Sequence, residues 1–298
     1  MSTSSAARTA SRPGWLVSPV WLVLVGILSV QFGAGIAKSL FDEVAPTTIV
    51  WLRLLTSAVV LVAVARPRLA GRSRADWLVV AGFGVALGTM NWSIYQAFAR
   101  IPLGVAVTLE FVGPLTLAVL GSRRPRDLLW VVLAAAGVTV LGVQGGGSLT
   151  VAGVVFALLA GAAWAAYILL SAQTGRRWPG LDGLALASAL AAALLALPAA
   201  LTGGDALGEP RILLLGALVG LLSSVVPYSC ELVALRSLKP SVFSILMSLE
   251  PAAAALAGIV VLGELLSLQQ WVAMACVVIA SVGATTSGRA AQAAPAPD

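Results

Sequence analysis

The 298-residue chain contains no histidine, and only 10% of its residues are charged. The first absence removes imidazole as metal ligand or proton relay. The second removes a water-soluble fold, since a soluble domain of this size carries roughly 25% charge on its exterior. Cysteine is nearly as scarce. Cys230 and Cys276 both lie inside apolar runs, where a thiol acts as a small hydrophobe and gives no disulfide or metal signal. Nor is there a soluble segment long enough for a catalytic domain, or a credible set of nucleophile and base, so no enzyme and no cofactor are expected. Gly145 to Gly147 follow no strand and open no nucleotide fold, which makes them a turn and not a phosphate loop, and no nucleic-acid partner is expected.

What is present is apolar. Hydrophobic residues make up 59% of the chain, with a mean hydropathy of +1.00. A spanning helix uses ~20 apolar residues to cross about 30 Å of hydrocarbon, whereas barrel strands would show as alternating segments of about ten. The runs here are long and continuous, so the expected class is an all-α integral membrane protein in a lipid bilayer. Its ten transmembrane helices run from Pro19 to Ala37, Thr47 to Ala65, Ala75 to Phe98, Pro102 to Leu120, Leu128 to Val143, Val151 to Ser171, Leu184 to Leu201, Ile212 to Leu235, Ser241 to Leu262 and Leu268 to Thr286. A polar segment, 1–18, precedes a first helix read as retained and not as a signal peptide. The Ala/Pro tail, 288–298, reads as disordered.

Lys and Arg are retained on the cytoplasmic side of a membrane protein. With the N-terminus inside, the inner segments hold Arg8, Arg12, Arg66, Arg68, Arg72, Arg74, Arg123, Arg124, Arg126, Arg176, Arg177, Arg236, Lys239 and Arg289. Outside there are Lys38, Arg100 and Arg211, with Arg53 left within a helix. Both termini are therefore expected in the cytoplasm.

The chain also repeats itself. RDLLWVVLAAAGVTVLGV from Arg126 resembles SLQQWVAMACVVIASVGA from Ser267, pairing Trp130 with Trp271 and Gly142 with Gly283. Pro114 pairs with Pro251, Arg100 with Arg236 and Pro46 with Pro179. Two repeats, 19–144 and 150–287, then hold five helices each. An odd number makes the second enter the membrane from the opposite side, which gives two inverted five-helix repeats. That is an architecture of alternating-access carriers, whose substrate site lies near the midplane where broken helices meet.

The stretches SVQFGAGIAKSLF (Ser29 to Phe41), GVALGTMNWSIY (Gly84 to Tyr95), IPLGVAVTLEFVGPLTLAVLGSRRPRDLLWVVLA (Ile101 to Ala134), GAAWAAYILLSAQTG (Gly161 to Gly175), VPYSCELVALRSL (Val226 to Leu238) and LMSLEPAAAALAGIVVLGE (Leu246 to Glu264) resemble the drug/metabolite transporter superfamily in its EamA group. More narrowly they are similar to the threonine/homoserine exporter branch of bacterial inner membranes. The SLEP and LGE pieces are common to the superfamily, while the LEF.GPL string is closer to the branch. The resemblance implies export of small neutral amino acids driven by the proton gradient, in an inner membrane. The alternative from the same superfamily is proton-coupled efflux of cationic drugs or other metabolites.

Two carboxyls stand out against this background. Glu110 lies nine residues into its helix and Glu250 ten residues beyond Pro240, so both reach depths of about 14 to 15 Å, the midplane. A charge there costs roughly 2.5 to 3.5 kcal/mol, which makes such residues functional by default. Leaving water disfavours the charged form of a carboxyl, and that suits a group that must exchange a proton. Pro114 and Pro251 each remove an amide donor and free an upstream carbonyl nearby, marking helix breaks.

An amino acid also carries a carboxylate, for which Lys38 and Arg53 are the candidate cations. Lysine occurs twice against sixteen arginines, so a retained Lys38 suggests a compact ammonium reading the substrate carboxylate; the other reading is snorkelling to the outer interface. Lys38 shares a helical stripe with Gln31, Ala34 and Gly35. Arg53 is expected to pair with Asp42, Glu43 or a buried glutamate. Asn91, Trp92, Tyr95, Trp164, Tyr167 and Tyr228 are candidates to line the cavity, and Glu231 to act as a gate or ion-pair residue.

Overall fold

The computed structural model describes residues 18–120, 128–143, 149–235, 237–238 and 240–292. Among them there are thirteen α-helical segments and no strand. In chain order these are α1 Pro19–Ser39, α2 Pro46–Ala65, α3 Arg74–Phe98, α4 Leu103–Glu110, α5 Val112–Leu120, α6 Leu128–Val143, α7 Val151–Arg177, α8 Asp182–Gly203, α9 Pro210–Gly220, α10 Val226–Leu235, α11 Pro240–Met247, α12 Glu250–Leu262 and α13 Leu268–Gln292. Three pairs, α4 with α5, α9 with α10 and α11 with α12, are interrupted single crossings, so the chain crosses ten times. Nine described helical stretches are long and apolar enough to span a bilayer, and α6 is a shorter apolar helix. The chain is a multi-pass membrane protein.

Local chemistry sets the helix ends. Proline opens α1, α2 and α9, where its missing donor costs no helical bond. Ser73 and Asp76 form a reciprocal capping box at the start of α3, and Thr150 caps α7. Gly263, at φ 67°, ends α12 in the left-handed region. Residues 288–292, expected in the tail, continue α13; residues 1–17 and 293–298, the basic loop from Arg123 to Arg126, the glycines Gly145 to Gly147, and Arg236 and Lys239 lie outside the described residues.

Packing rests on small residues, because lipid tails give apolar helices no reason to associate and close backbone approach must do so. Ala37, Ala97, Ala106, Ala157, Ala160, Ala187, Ala191, Ala254 and Ala257 are all fully buried. The helix contacts recur when the two halves are exchanged. α3 packs on α7 as α1 packs on α10, α3 on α8 as α2 on α9, and α4 and α5 on α7 as α11 and α12 on α1. The pairs α2 with α8 and α6 with α13 map onto themselves.

Candidate functional site: a mixed-charge cavity at three broken helices

Proline creates the site by removing backbone donors. Without an N–H, Pro227 cannot bond the carbonyl of Ser223 four residues back. The span responds with a π-helical turn over Leu221–Val225 between α9 and α10. Neighbouring helices take up the freed carbonyls: Arg53 of α2 donates Nη2 to Ser223 O at 3.1 Å, and Ser29 Oγ of α1 donates to Leu222 O at 2.6 Å. Pro114 removes the donor that would meet the Glu110 carbonyl. There α4 ends at Glu110, Phe111 forms a turn, and α5 begins at Val112. That carbonyl instead lies against Gly161 of α7, where a Cβ would stand 2.6 Å from it. Pro251 does the same for Met247, and α11 and α12 are separated by Ser248 and Leu249. Ser248 Oγ is held at 2.8 Å by Ser281 Oγ of α13.

Where these interruptions meet there is a cavity of about 170 Å³. Glu110, Glu231 and Glu250 line it from α4, α10 and α12, and Arg53 lines it from α2. Among the described residues no carboxyl, thiol or imidazole cluster is arranged to hold a metal ion. Neutral polar groups complete the wall. Gln31 of α1 is buried there, and Asn91 of α3 donates Nδ2 to Leu87 O at 2.9 Å, which leaves its carbonyl oxygen unused by that bond. Tyr167 and Tyr228 also line the cavity. Trp164 stands edge-on to Phe111, with ring centroids 5.2 Å apart, beside the α4 break.

Several expected placements are corrected. Lys38 does not line the cavity. Its Nζ pairs with Glu264 Oε1 at 2.6 Å and donates to Ile101 O at 2.7 Å, at the end of the molecule where α1 stops and α4 starts. Glu264 Oε2 also accepts from Leu103 N at 2.8 Å, so the pair clasps α1, α4 and the segment after α12. Arg53 has no carboxylate within ion-pairing distance among the described residues; its acceptor is a carbonyl, and Glu43 pairs with Arg211 instead. Trp92 turns away from the cavity, donating Nε1 to Thr47 Oγ1 at 3.2 Å and packing edge-on against Phe156. Tyr95 is fully buried beneath Arg53, whose guanidinium carbon lies 5.6 Å from the ring centroid, and it is not on the cavity wall. Glu231 has no ion pair among the described residues and belongs to the cavity. Glu264 and the Pro227 break escaped the sequence reading, although a proline inside an apolar run was a visible signal for the second.

The profile of the EamA-like transporter family matches residues 151–286. The chain is 39% identical over 283 residues to the threonine/homoserine exporter RhtA of Salmonella typhimurium strain LT2, covering 94% of this chain and 95% of the relative. It is 39% identical over 279 residues to RhtA of Escherichia coli strain K12, covering 93% of this chain and 94% of the relative. A crystal structure with 21% sequence identity superposes with a TM-score of 0.62 over 92% of this chain and 99% of the other, so the two share a fold. The chain belongs to the EamA-like transporter family.

Proposed function

We propose that the protein exports small neutral amino acids of the threonine and homoserine kind across the bacterial inner membrane, in exchange for protons and by alternating access. One observation carries this: one cavity, where three crossings are interrupted, presents a guanidinium on one wall and carboxyls on others, groups of both signs such as a zwitterion requires. The names of the full-length relatives support the substrate class. The exchange symmetry of the helix contacts supports two inverted repeats, 19–144 and 150–287, related by an axis in the membrane plane. The basic residues between α2 and α3 and in the last turn of α7 support cytoplasmic termini.

In this reading Glu110 receives the substrate ammonium and gives up a proton to do so, because one carboxylate cannot hold both. Glu250, at the first turn of α12 beside its proline, couples protonation to the angle between α11 and α12. The excess of carboxyls over cations in the cavity favours a second reading, efflux of an organic cation, in which Arg53 has no ligand to meet.

Uptake of labelled threonine and homoserine into everted vesicles, with and without a pH gradient, tests the proposal. Export should depend on the gradient and should fall by at least about tenfold in Glu110→Gln. Glu250→Gln should still bind threonine in detergent while transporting it poorly. Gradient-driven uptake of a quaternary ammonium dye without any amino-acid uptake would replace the first reading with the second.

A further inference from the structure

We propose that Arg53 is the residue that reads the substrate carboxylate, and that Pro227 positions it. This assignment rests on amino-acid export as the function. It goes further by naming which group of the substrate is selected and what holds the selector in place.

Among the described residues that line the cavity, Arg53 is the only cation. Its situation is unfinished: one Nη donates to a neutral carbonyl, and its Nε is enclosed with no acceptor. The cation of α1 that might have competed for a carboxylate is committed elsewhere, Lys38 to Glu264, and Glu43 outside the cavity is committed to Arg211. Arg53 is half-buried, and a partly desolvated charge without a hydrogen-bonded counter-ion carries a cost that is relieved when an anion arrives. The guanidinium is a planar fork whose paired donors match a carboxylate, so little conformational freedom is lost on binding one. The Tyr95 ring on one side and Ser223 O on the other restrict where that fork can lie.

Ser223 O is available to Arg53 because the residue four positions on is proline. Pro227→Ala would supply an N–H that competes for the same carbonyl and would let the π turn relax to an α-helix. Pro227 therefore acts on the substrate through Arg53, as a positioning residue.

The test compares L-threonine with L-threoninol, which keeps the ammonium and the hydroxyl side chain but replaces the carboxylate by an alcohol. Binding is measured by calorimetry on the full-length protein in detergent. The wild type should prefer threonine by at least about tenfold. In Arg53→Gln, threonine affinity should fall by roughly 30-fold or more while threoninol stays within about threefold, as expected when one partner of a buried charged contact is lost. Arg53→Lys should fall between, because a point charge replaces a fork. Pro227→Ala should lose about threefold to tenfold for threonine and little for threoninol. Wild-type protein that binds threoninol as tightly as threonine overturns the assignment without recourse to any variant, and leaves export of amines open. Arg53→Gln that binds threonine within about threefold of wild type also overturns it. Wild-type protein that binds neither ligand removes amino-acid export itself, and the role of Arg53 with it.

Discussion

The two ends of the interrupted crossings are built differently. At the end where Lys38 meets Glu264, every residue of α4 is buried, and α4 packs directly on α12. At the opposite end only Leu115 of α5 is buried, and α5 rests on α7, α13 and α6 while α11 rests on α13 and α1. The halves that touch at one end are thus parted at the other, with the cavity between. In the proposed alternating-access reading, exchange of the two repeats would turn α4 on α12 into α11 on α5, and the asymmetry would belong to one of two conformers. Under the proposed orientation, with both termini in the cytoplasm, the closed end would face outward and the parted end the cytoplasm.

The largest expected effect comes from forcing the closed end. A Cβ on Gly104 would stand 2.9 Å from Ala255 Cα, so Gly104→Val must separate α4 from α12. Overpacking of this kind costs about 1–3 kcal/mol, and export should fall about tenfold. Thr116→Val, on the exposed face of α5, should change stability by less than about 0.5 kcal/mol. Equal losses of export in the two variants would erase the contrast between the ends.

A smaller effect is expected from unfastening the clasp. In a Cys230→Ser, Cys276→Ser background, Met247→Cys on the cavity wall should react with a membrane-impermeant thiol reagent from the cytoplasmic side only. Glu264→Gln or Lys38→Met should raise the rate from the other side by about tenfold. The double variant should add little, since both changes remove one interaction. An unchanged rate in all three would show that the ion pair does not hold the outer halves together.

The smallest effect belongs to the exposed pair between Glu43 and Arg211, which joins the α1–α2 connection to α9. The guanidinium holds the Glu43 carboxyl below its usual value of 4.5. A depressed value gives stabilisation that is present above the unfolded-state value and disappears as pH falls through the folded one. Melting temperatures of wild type and Glu43→Gln should differ slightly at pH 7 and converge in acid. A gap that widens on acidification would contradict this.

The crossings were legible because charge is so rare that each apolar run is bounded by it, and Glu110 and Glu250 were legible for the same reason. Pro114 announced a break, but the turn itself falls at Phe111, since a proline disrupts the turn that precedes it. The destination of the cations was not legible. Lys38 finds Glu264 across nearly the whole chain, and Arg53 finds a main-chain carbonyl, which has no letter in a sequence. Trp92 and Trp164 look alike as interior tryptophans; only the presence of Thr47 beside the first separates a structural indole from one on the cavity wall.

Gly161 of α7 lies against the Glu110 carbonyl and against Gly113 on the far side of the α4 break. The joint between α4 and α5 therefore rests on main chain alone, with no side chain to cushion it. A single methyl at Gly161 would act as a wedge in that joint, favouring whichever conformer opens the angle. If the proposed exchange between two conformers holds, the side of the membrane from which the protein first accepts cargo would be adjustable by one carbon atom at a residue outside the cavity wall.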